Sequence, residues 1–289
     1  ANAVTIAAYT KAVAYSISDT AANALTAVAG AYNEAINITI TTDVTYEKAK
    51  AVDDASNSGT STYNINDTAA LITAGVGTKV AAINNAGTIT ANSNATFAEA
   101  ATMSGIAKAI SYSISDEQAN IPNSTNGSIN EAINITITDD VTFAQAKIID
   151  DGSNSGSNTY SVNDTATNLS NGTVTSVNAL NGAQAITASS NATAVEAAKL
   201  AAISKAVVYN ISDTAVNIVA NVGGLNESVD ITSTDSCTFA QAKIIEDATN
   251  SGAISYSISD SAANIVAGLG SDVAVFTTNG VGSVAANTY

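Results

Sequence analysis

The chain has no histidine, no arginine and no tryptophan, and only one cysteine, one proline and one methionine in 289 residues. Without histidine or arginine, Ser-His-Asp triads, histidine-type zinc sites and guanidinium clamps on phosphoryl groups cannot be assembled. A single cysteine excludes an intrachain disulfide. Cys237 stands where two sister segments carry Val44 and Val141, so it reads as a small buried hydrophobe and not as a reactive thiol. All nine cations are lysine, set against 25 acids for a net charge of −16. Such a surface repels phosphate backbones, which disfavours nucleic acid and anionic membranes as partners. No run approaches the roughly 18 apolar residues of a membrane span, and residue 1 does not open a basic region followed by an apolar core. A secretory signal, if the protein is exported, is expected to lie outside this sequence. Aromatics are only 5% and the 46% hydrophobic fraction is dominated by alanine, which suits thin regular layers better than a large irregular core.

What is present is repetition. The motif Tyr-Ser-Ile-Ser-Asp-Thr-Ala-Ala-Asn, first at Tyr15 to Asn23, returns with its tyrosine at Tyr63, Tyr112, Tyr160, Tyr209 and Tyr256, at steps of 47 to 49 residues. A fixed period of this size marks an array. Alternate copies are more alike than neighbours, as Lys11, Lys108 and Lys205 and then Tyr46, Phe143 and Phe239 show. The unit is therefore a pair of half-repeats, and the chain divides into three double repeats, approximately 1–95, 96–192 and 193–289.

Within each motif apolar residues alternate with serines, the signature of a short strand buried on one face. The aspartate that follows suits the positive end of a helical turn, so Asp19, Asp67, Asp116, Asp164, Asp213 and Asp260 read as helix N-caps. A second strand is expected midway, over 36–40, 133–137 and 229–232 in one half and 88–90 and 185–187 in the other. Each of these leads to a threonine. Thr96 with Glu99, Thr193 with Glu196, Thr142 with Gln145 and Thr238 with Gln241 fit the capping box, whereas Thr45 is followed by Lys48 and its box is incomplete. An Ala-rich helix of two to three turns should follow each box. The stretches 74–87, 171–182 and 269–287 are weakly patterned and read as linkers, and the segment from Ile121 to Gly127, with the lone Pro122, reads as a surface loop.

Six half-repeats of about 48 residues, each strand, short helix, strand and longer helix, predict one elongated domain, 1–289. The expected fold is a parallel β-solenoid with short peripheral helices, in which equivalent strands stack through right-handed crossovers. Asn23, Asn120, Asn168, Asn217 and Asn264, four places after the aspartates, are expected to form a ladder between rungs, broken only by Leu71. Thr288-Tyr289 continued into Ala1 would complete one box helix, with Lys11 twelve places on, as Lys108 is after Thr96. That phase match predicts either an excerpt of a longer array or copies that stack head to tail into a filament.

The turns Asp53 to Gly59, Asp150 to Gly156 and Glu246 to Gly252 place two acids at a helix end, against the negative pole of its dipole. A bound cation would compensate them. Asp54, Ser56 and Ser58, Asp151, Ser153 and Ser155, and Asp247, Thr249 and Ser251 have the oxygen spacing of the first half of a calcium loop, although Ile65 stands where the bidentate glutamate belongs. A solvated turn with Lys50, Lys147 and Lys243 pairing four residues ahead is the alternative. Glycosylation sequons such as Asn37-Ile38-Thr39 occur throughout this Asn- and Thr-rich chain.

Through Tyr112-Ser113-Ile114-Ser115-Asp116 and Tyr209 to Asn217, the repeats resemble the Ser-Asp-Thr-Ala-Ala-Asn repeats of large secreted, adhesin-like bacterial surface proteins known as β-strand repeat proteins. The resemblance implies an extracellular, structural or adhesive role and brings no catalytic residue. Every noteworthy acid recurs from copy to copy at a position with a structural explanation, so the chain is expected not to be an enzyme and to require no cofactor, with Ca2+ as the one candidate ion. The leading expectation is a segment or subunit of a bacterial surface fibre, filament or sheath whose partner is itself. The alternative is a calcium-stabilised adhesin stalk or a module that meets surface glycans.

Overall fold

A computed structural model of the chain describes residues 2–8, 13–24, 29–277 and 280–287. Lys11, Thr288 and Tyr289, on which the phase match of the two ends depends, lie outside the described residues.

The tyrosine motif forms strands as its alternation requires: Ile17–Asp19, Ile65–Asp67, Ile114–Asp116, Asn158–Asp164, Ile211–Asp213 and Ile254–Ser261. Tyrosine and isoleucine turn inward and serine outward, so that Tyr63, Tyr112, Tyr160 and Tyr209 are among the largest fully buried side chains. Each hydroxyl reaches a main-chain carbonyl of the segment that crosses it: Tyr63 to Ala82 at 2.9 Å, Tyr112 to Ser128 at 3.1 Å, Tyr160 to Ala179 at 2.9 Å and Tyr209 to Gly224 at 2.8 Å. Burial, with a nearby carboxylate in each case, holds these phenols well above their ordinary pKa. The midway strands are also present, as Ile38–Ile40, Ile89–Ala91, Ile135–Val141, Ile186–Ala188 and Ile231–Cys237.

The expected parallel β-solenoid is corrected. The strands form four separate parallel sheets of three, two, five and four strands, set among 15 α-helices in the described residues, a mixed α/β fold. Strands adjacent in sequence pair with one another, as in Ile17↔Ile38 and Ile65↔Ile89, and not the equivalent strands a half-repeat apart. The ladders are short because most tyrosine strands supply only about three residues before the aspartate turns the chain into a helix. Beyond them the contacts dwindle to single bridges such as Val44↔Ile65 and Ala192↔Ile211.

The expected linkers are corrected as well. Residues 69–84 form one helix, Ala69–Asn84, bent where Lys79 leaves helical geometry (φ −152°, ψ 81°). Ala166–Thr175 and Val177–Asn181 repeat that arrangement with Ser176 at the bend, and Ala262–Ser271 and Ala274–Thr277 repeat it with Asp272. The helix after the aspartate is thus the longer one in these copies. The box helices run seven or eight residues, as in Phe97–Ser104 and Ala194–Leu200. The tail holds a strand, Val281–Asn287.

The chain divides into two compact units, residues 1–138 with 151–158, and residues 139–150 with 159–289. The first packs Ile38, Ile65, Ile89 and Ile114 against helices that contribute Ala49, Ile72, Ala100 and Met103, all nearly inaccessible. In the second, Ile186, Ile211 and Ile231 meet Leu169, Ala197, Ile218 and Ile245 in the same way. One aromatic fits one glycine once in the first unit and twice in the second. A Cβ on Gly75 would fall 2.4 Å from the Tyr46 ring, one on Gly172 2.7 Å from Phe143, and one on Gly268 2.6 Å from Phe239. Such distances exclude a larger side chain without movement of the ring.

Candidate functional site

The recurrent aspartate is the most heavily used polar group, and its geometry corrects the cap assignment. Asp67, Asp164, Asp213 and Asp260 sit one residue before the cap. The capping oxygens belong to Thr68, Thr165, Thr214 and Ser261, which accept from the main-chain N–H three residues on. Each aspartate instead bridges two chain segments. Its Oδ1 accepts from the next main-chain N–H, at 2.8 Å for Asp67 and 2.7 Å for Asp164. Its Oδ2 accepts from the first N–H of a box helix about 20 residues earlier: Tyr46 to Asp67 at 2.9 Å, Phe97 to Asp116 at 2.8 Å, Phe143 to Asp164 at 3.0 Å, Ala194 to Asp213 at 3.0 Å and Phe239 to Asp260 at 3.0 Å. One carboxylate thereby serves the positive ends of two helical segments. Asp19 has the first contact, to Thr20 N–H at 2.8 Å, but among the described residues nothing reaches its Oδ2.

The asparagines also act differently from the expected ladder. Asn23, Asn120, Asn168, Asn217 and Asn264 donate to the aspartate of their own copy at 2.7 to 3.0 Å, so the bond closes one turn and does not link rungs. Desolvation opposes ionisation of Asp213, but bonds from Asn217, Ala194 and Thr214 outweigh it and hold the carboxyl below its ordinary pKa. Bonds from Asn264, Phe239 and Ser261 lower Asp260 likewise.

The capping boxes form where the sequence places them. Thr96 with Glu99, Thr193 with Glu196 and Thr238 with Gln241 exchange both bonds, and Thr142 with Gln145 does so at 3.0 and 3.3 Å. Thr45 makes no side-chain cap, and Lys48 offers no acceptor for the return bond of the box.

At the proposed calcium turns, lysine supplies the positive charge in the copies whose contacts are resolved. Asp54 pairs with Lys50 at 2.7 Å and with Lys79, and Asp53 pairs with Lys79 at 3.0 Å. Hydrogen bonds from Lys50 and Lys79 hold the Asp54 carboxyl below its ordinary pKa. Lys243 lies 3.4 Å from Asp247 and 2.7 Å from Asp272. Asp151 is exposed. The hydroxyl residues act mainly through the main chain. Ser56, Ser153 and Thr249 donate N–H to the side-chain oxygens of Asn33, Asn130 and Asn226 at 2.9 to 3.0 Å. Ser58, Ser155 and Ser251 donate to the carbonyls of Ala35, Ala132 and Ser228 at 3.2 Å. Among the described residues no group of three or more His, Cys, Asp or Glu side chains converges as a metal centre would.

Sequence reasoning missed these asparagine acceptors, and it missed why a glycine closes each turn. A Cβ on Gly59, Gly156 or Gly252 would come within 2.3 to 2.4 Å of Asn37, Asn134 or Asp230. The signal was available, since Asn33, Asn130 and Asn226 keep the double-repeat period, as do Gly59, Gly156 and Gly252. Also missed were Thr42, Ser93, Ser190 and Asp235, whose side chains accept the first helical N–H of Ala21, Ala69, Ala166 and Ala215 at 2.7 to 3.0 Å.

One copy breaks the pattern. Glu117 replaces the capping hydroxyl after Asp116 and makes no side-chain cap, and only a single 3-10 turn, Gln118–Asn120, follows. The chain then departs at Pro122 and leaves a cleft of about 380 Å³ over the start of the box helix, lined by Thr96, Phe97, Asp116, Asn120, Asn126 and Ser128 among others. Its carboxylate is engaged by Phe97, Glu117 and Asn120, and Asn126 accepts from both the N–H and the hydroxyl of Ser128. The polar lining serves the local fold, with neither a nucleophile–base pair nor a cationic group in it. Cys237 is buried and free, and burial raises its thiol pKa, the opposite of an activated nucleophile. No protein-family model, curated protein or solved structure matches the chain.

Proposed function

We propose that the chain is a repetitive structural protein of the bacterial cell surface, a segment or subunit of an extracellular fibre, filament or sheath. The observation that carries this reading is the fivefold recurrence of one bridging geometry. In each of five copies the conspicuous carboxylate is consumed by two helix starts, which is what a fold-maintaining residue does and what a reactive or ligand-binding carboxylate avoids. The acidic exterior and the polar Ser, Thr and Asn faces agree with life in an aqueous exterior. The resemblance to secreted surface repeats points the same way.

The test is localisation. Antibodies raised against the purified chain are applied to intact and to permeabilised cells that produce it. Labelling of intact cells, arranged as fibres or a continuous coat, supports the proposal. Labelling confined to permeabilised cells overturns it.

A further inference from the structure

Asparagine followed by glycine is a reactive pair without help from any other catalytic group. The glycine nitrogen can attack the side-chain carbonyl carbon of the asparagine, and no Cβ on the glycine hinders its approach. Four such pairs occur, Asn126-Gly127, Asn171-Gly172, Asn181-Gly182 and Asn279-Gly280. Asn279 lies outside the described residues.

Two of the pairs are locked by the fold. Asn171 and Gly172 stand inside the helix Ala166–Thr175, where main-chain N–H groups bond four residues back. Gly182 N–H donates to the Asn178 carbonyl at 2.8 Å as the helix Val177–Asn181 ends. A nitrogen held in such a bond is not free to turn toward the side chain before it.

Asn126-Gly127 differs on each count. It lies in the segment that leaves the repeat at Pro122, and both residues are exposed. Asn126 has extended backbone (φ −146°, ψ −175°), and Gly127 opens the single turn Gly127–Asn130, so its N–H has no carbonyl four residues back to bind. Among the described residues that N–H has no partner. The Asn126 side-chain oxygen accepts from the Ser128 N–H at 3.0 Å and from the Ser128 hydroxyl. Two donors on that oxygen polarise the carbon under attack and stand where negative charge develops.

We propose that Asn126 is a site of self-deamidation in the folded chain. The Gly127 nitrogen bonds to Cγ of Asn126, the bond from Cγ to the side-chain amide nitrogen breaks, and the Gly127 proton leaves with that nitrogen as ammonia. The five-membered imide then takes up one water. Opening at one carbonyl gives aspartate at 126, and opening at the other gives an isoaspartyl link that carries the main chain through the side chain. Either product places a new carboxylate in the cleft over Phe97 that Asp116 also lines. Aspartate suits the start of the turn, whereas the isoaspartyl link lengthens the chain just ahead of Ser128, whose carbonyl takes the Tyr112 hydroxyl.

The test is incubation of the purified 289-residue chain at mildly alkaline pH in water enriched in heavy oxygen, followed by trypsin digestion in ordinary water and sequencing by mass spectrometry. Cleavage after lysine places Asn126 between Lys108 and Lys147, Asn171 and Asn181 between Lys147 and Lys199, and Asn279 beyond Lys243. Heavy oxygen marks carboxylates formed during incubation and not during digestion. The expected result is deamidation at Asn126 about tenfold or more faster than at Asn171 or Asn181, equivalent to about 1.4 kcal/mol of barrier, with isoaspartate present at 126. In urea, where all three pairs are released, the difference should vanish. An Asn126 that stays an amide in the folded chain overturns the proposal, as does an equal rate at Asn171 or Asn181. A difference that persists in urea overturns it too, because the selectivity would then come from sequence and not from the fold. This chemistry does not depend on where the protein resides, so its failure is distinguishable from a failure of cell-surface labelling.

Discussion

Replacing Asp67 by alanine isolates the cross-segment bridge. Asp67 is 5% exposed and accepts from Tyr46 N–H at 2.9 Å and from Thr68 N–H at 2.8 Å. The helix Tyr46–Asp53 depends on it unusually, because Thr45 makes no side-chain cap. Loss of a helix-capping acceptor costs about 0.5–2 kcal/mol, and a buried donor left unpaired costs about 1–3 kcal/mol. With Thr68 N–H near enough to solvent to recover part of its loss, the expected destabilisation is about 2–4 kcal/mol. Asp260→Ala is the comparison, since its helix, Phe239–Glu246, keeps the Thr238–Gln241 box, so a smaller loss of about 1–2 kcal/mol is expected there. Urea unfolding followed by far-ultraviolet circular dichroism measures both. A loss below about 0.5 kcal/mol for Asp67→Ala, or a larger loss for Asp260→Ala, would refute the bridge as a major contributor.

Leu71 is half exposed at the one place where the series lacks asparagine; Leu71→Asn should stabilise by about 0.5 kcal/mol, a new bond to Asp67 exceeding the lower helix propensity, read as a small rise in melting temperature. Glu117→Thr should supply the missing cap at Gln118–Asn120 and stabilise by about 1 kcal/mol, with proton-detected amide shifts reporting a lengthened turn that still ends before Pro122. Gly172→Ala should destabilise by about 1–3 kcal/mol through contact with Phe143, and Phe143→Leu in the same chain should restore part of that loss. Asp213 and Asp260 have depressed folded-state pKa values, so their contribution is complete above the unfolded carboxylate range near about 4 and is lost as pH falls through the lower folded values; acid titration should show stability flat near neutrality and falling below about pH 4, and an unchanged stability there would contradict the bonding. Chelation of calcium should leave the melting temperature unchanged, because Lys50, Lys79 and Lys243 already face Asp53, Asp54, Asp247 and Asp272.

Local grammar was legible where one residue decides one bond. The tyrosine strands, the midway strands and the four complete boxes follow from alternation and from a threonine spaced three residues before an acid or amide. The incomplete box at Thr45 follows from Lys48. What stayed hidden depends on neighbours distant in sequence. Asp67 has the right chemistry for a helix start, but which start it serves is decided by a strand pairing that brings Tyr46 beside it. The helices over 69–84 and 166–181 carry glycines and little amphipathic pattern, so propensity argued against them. Packing reverses that judgement, because Gly75 and Gly172 are the places where Tyr46 and Phe143 rest.

The aromatic–glycine pairs also account for the alternation of the repeat. Tyr46, Phe143 and Phe239 lie one double repeat apart, and so do Gly75, Gly172 and Gly268. Each ring occupies space that its glycine leaves open, so the two positions must change together. In the other half the corresponding position is Phe97 in one copy and Ala194 in the next, and a Cβ on Gly224 would meet the Ala197 main chain at 2.4 Å. A box helix that carries Tyr46, Phe143 or Phe239 therefore needs the glycine of the helix that follows it. Both members of each pair lie within less than one half-repeat, as Tyr46 and Gly75 do. Duplication or deletion in whole double repeats keeps every ring with its glycine.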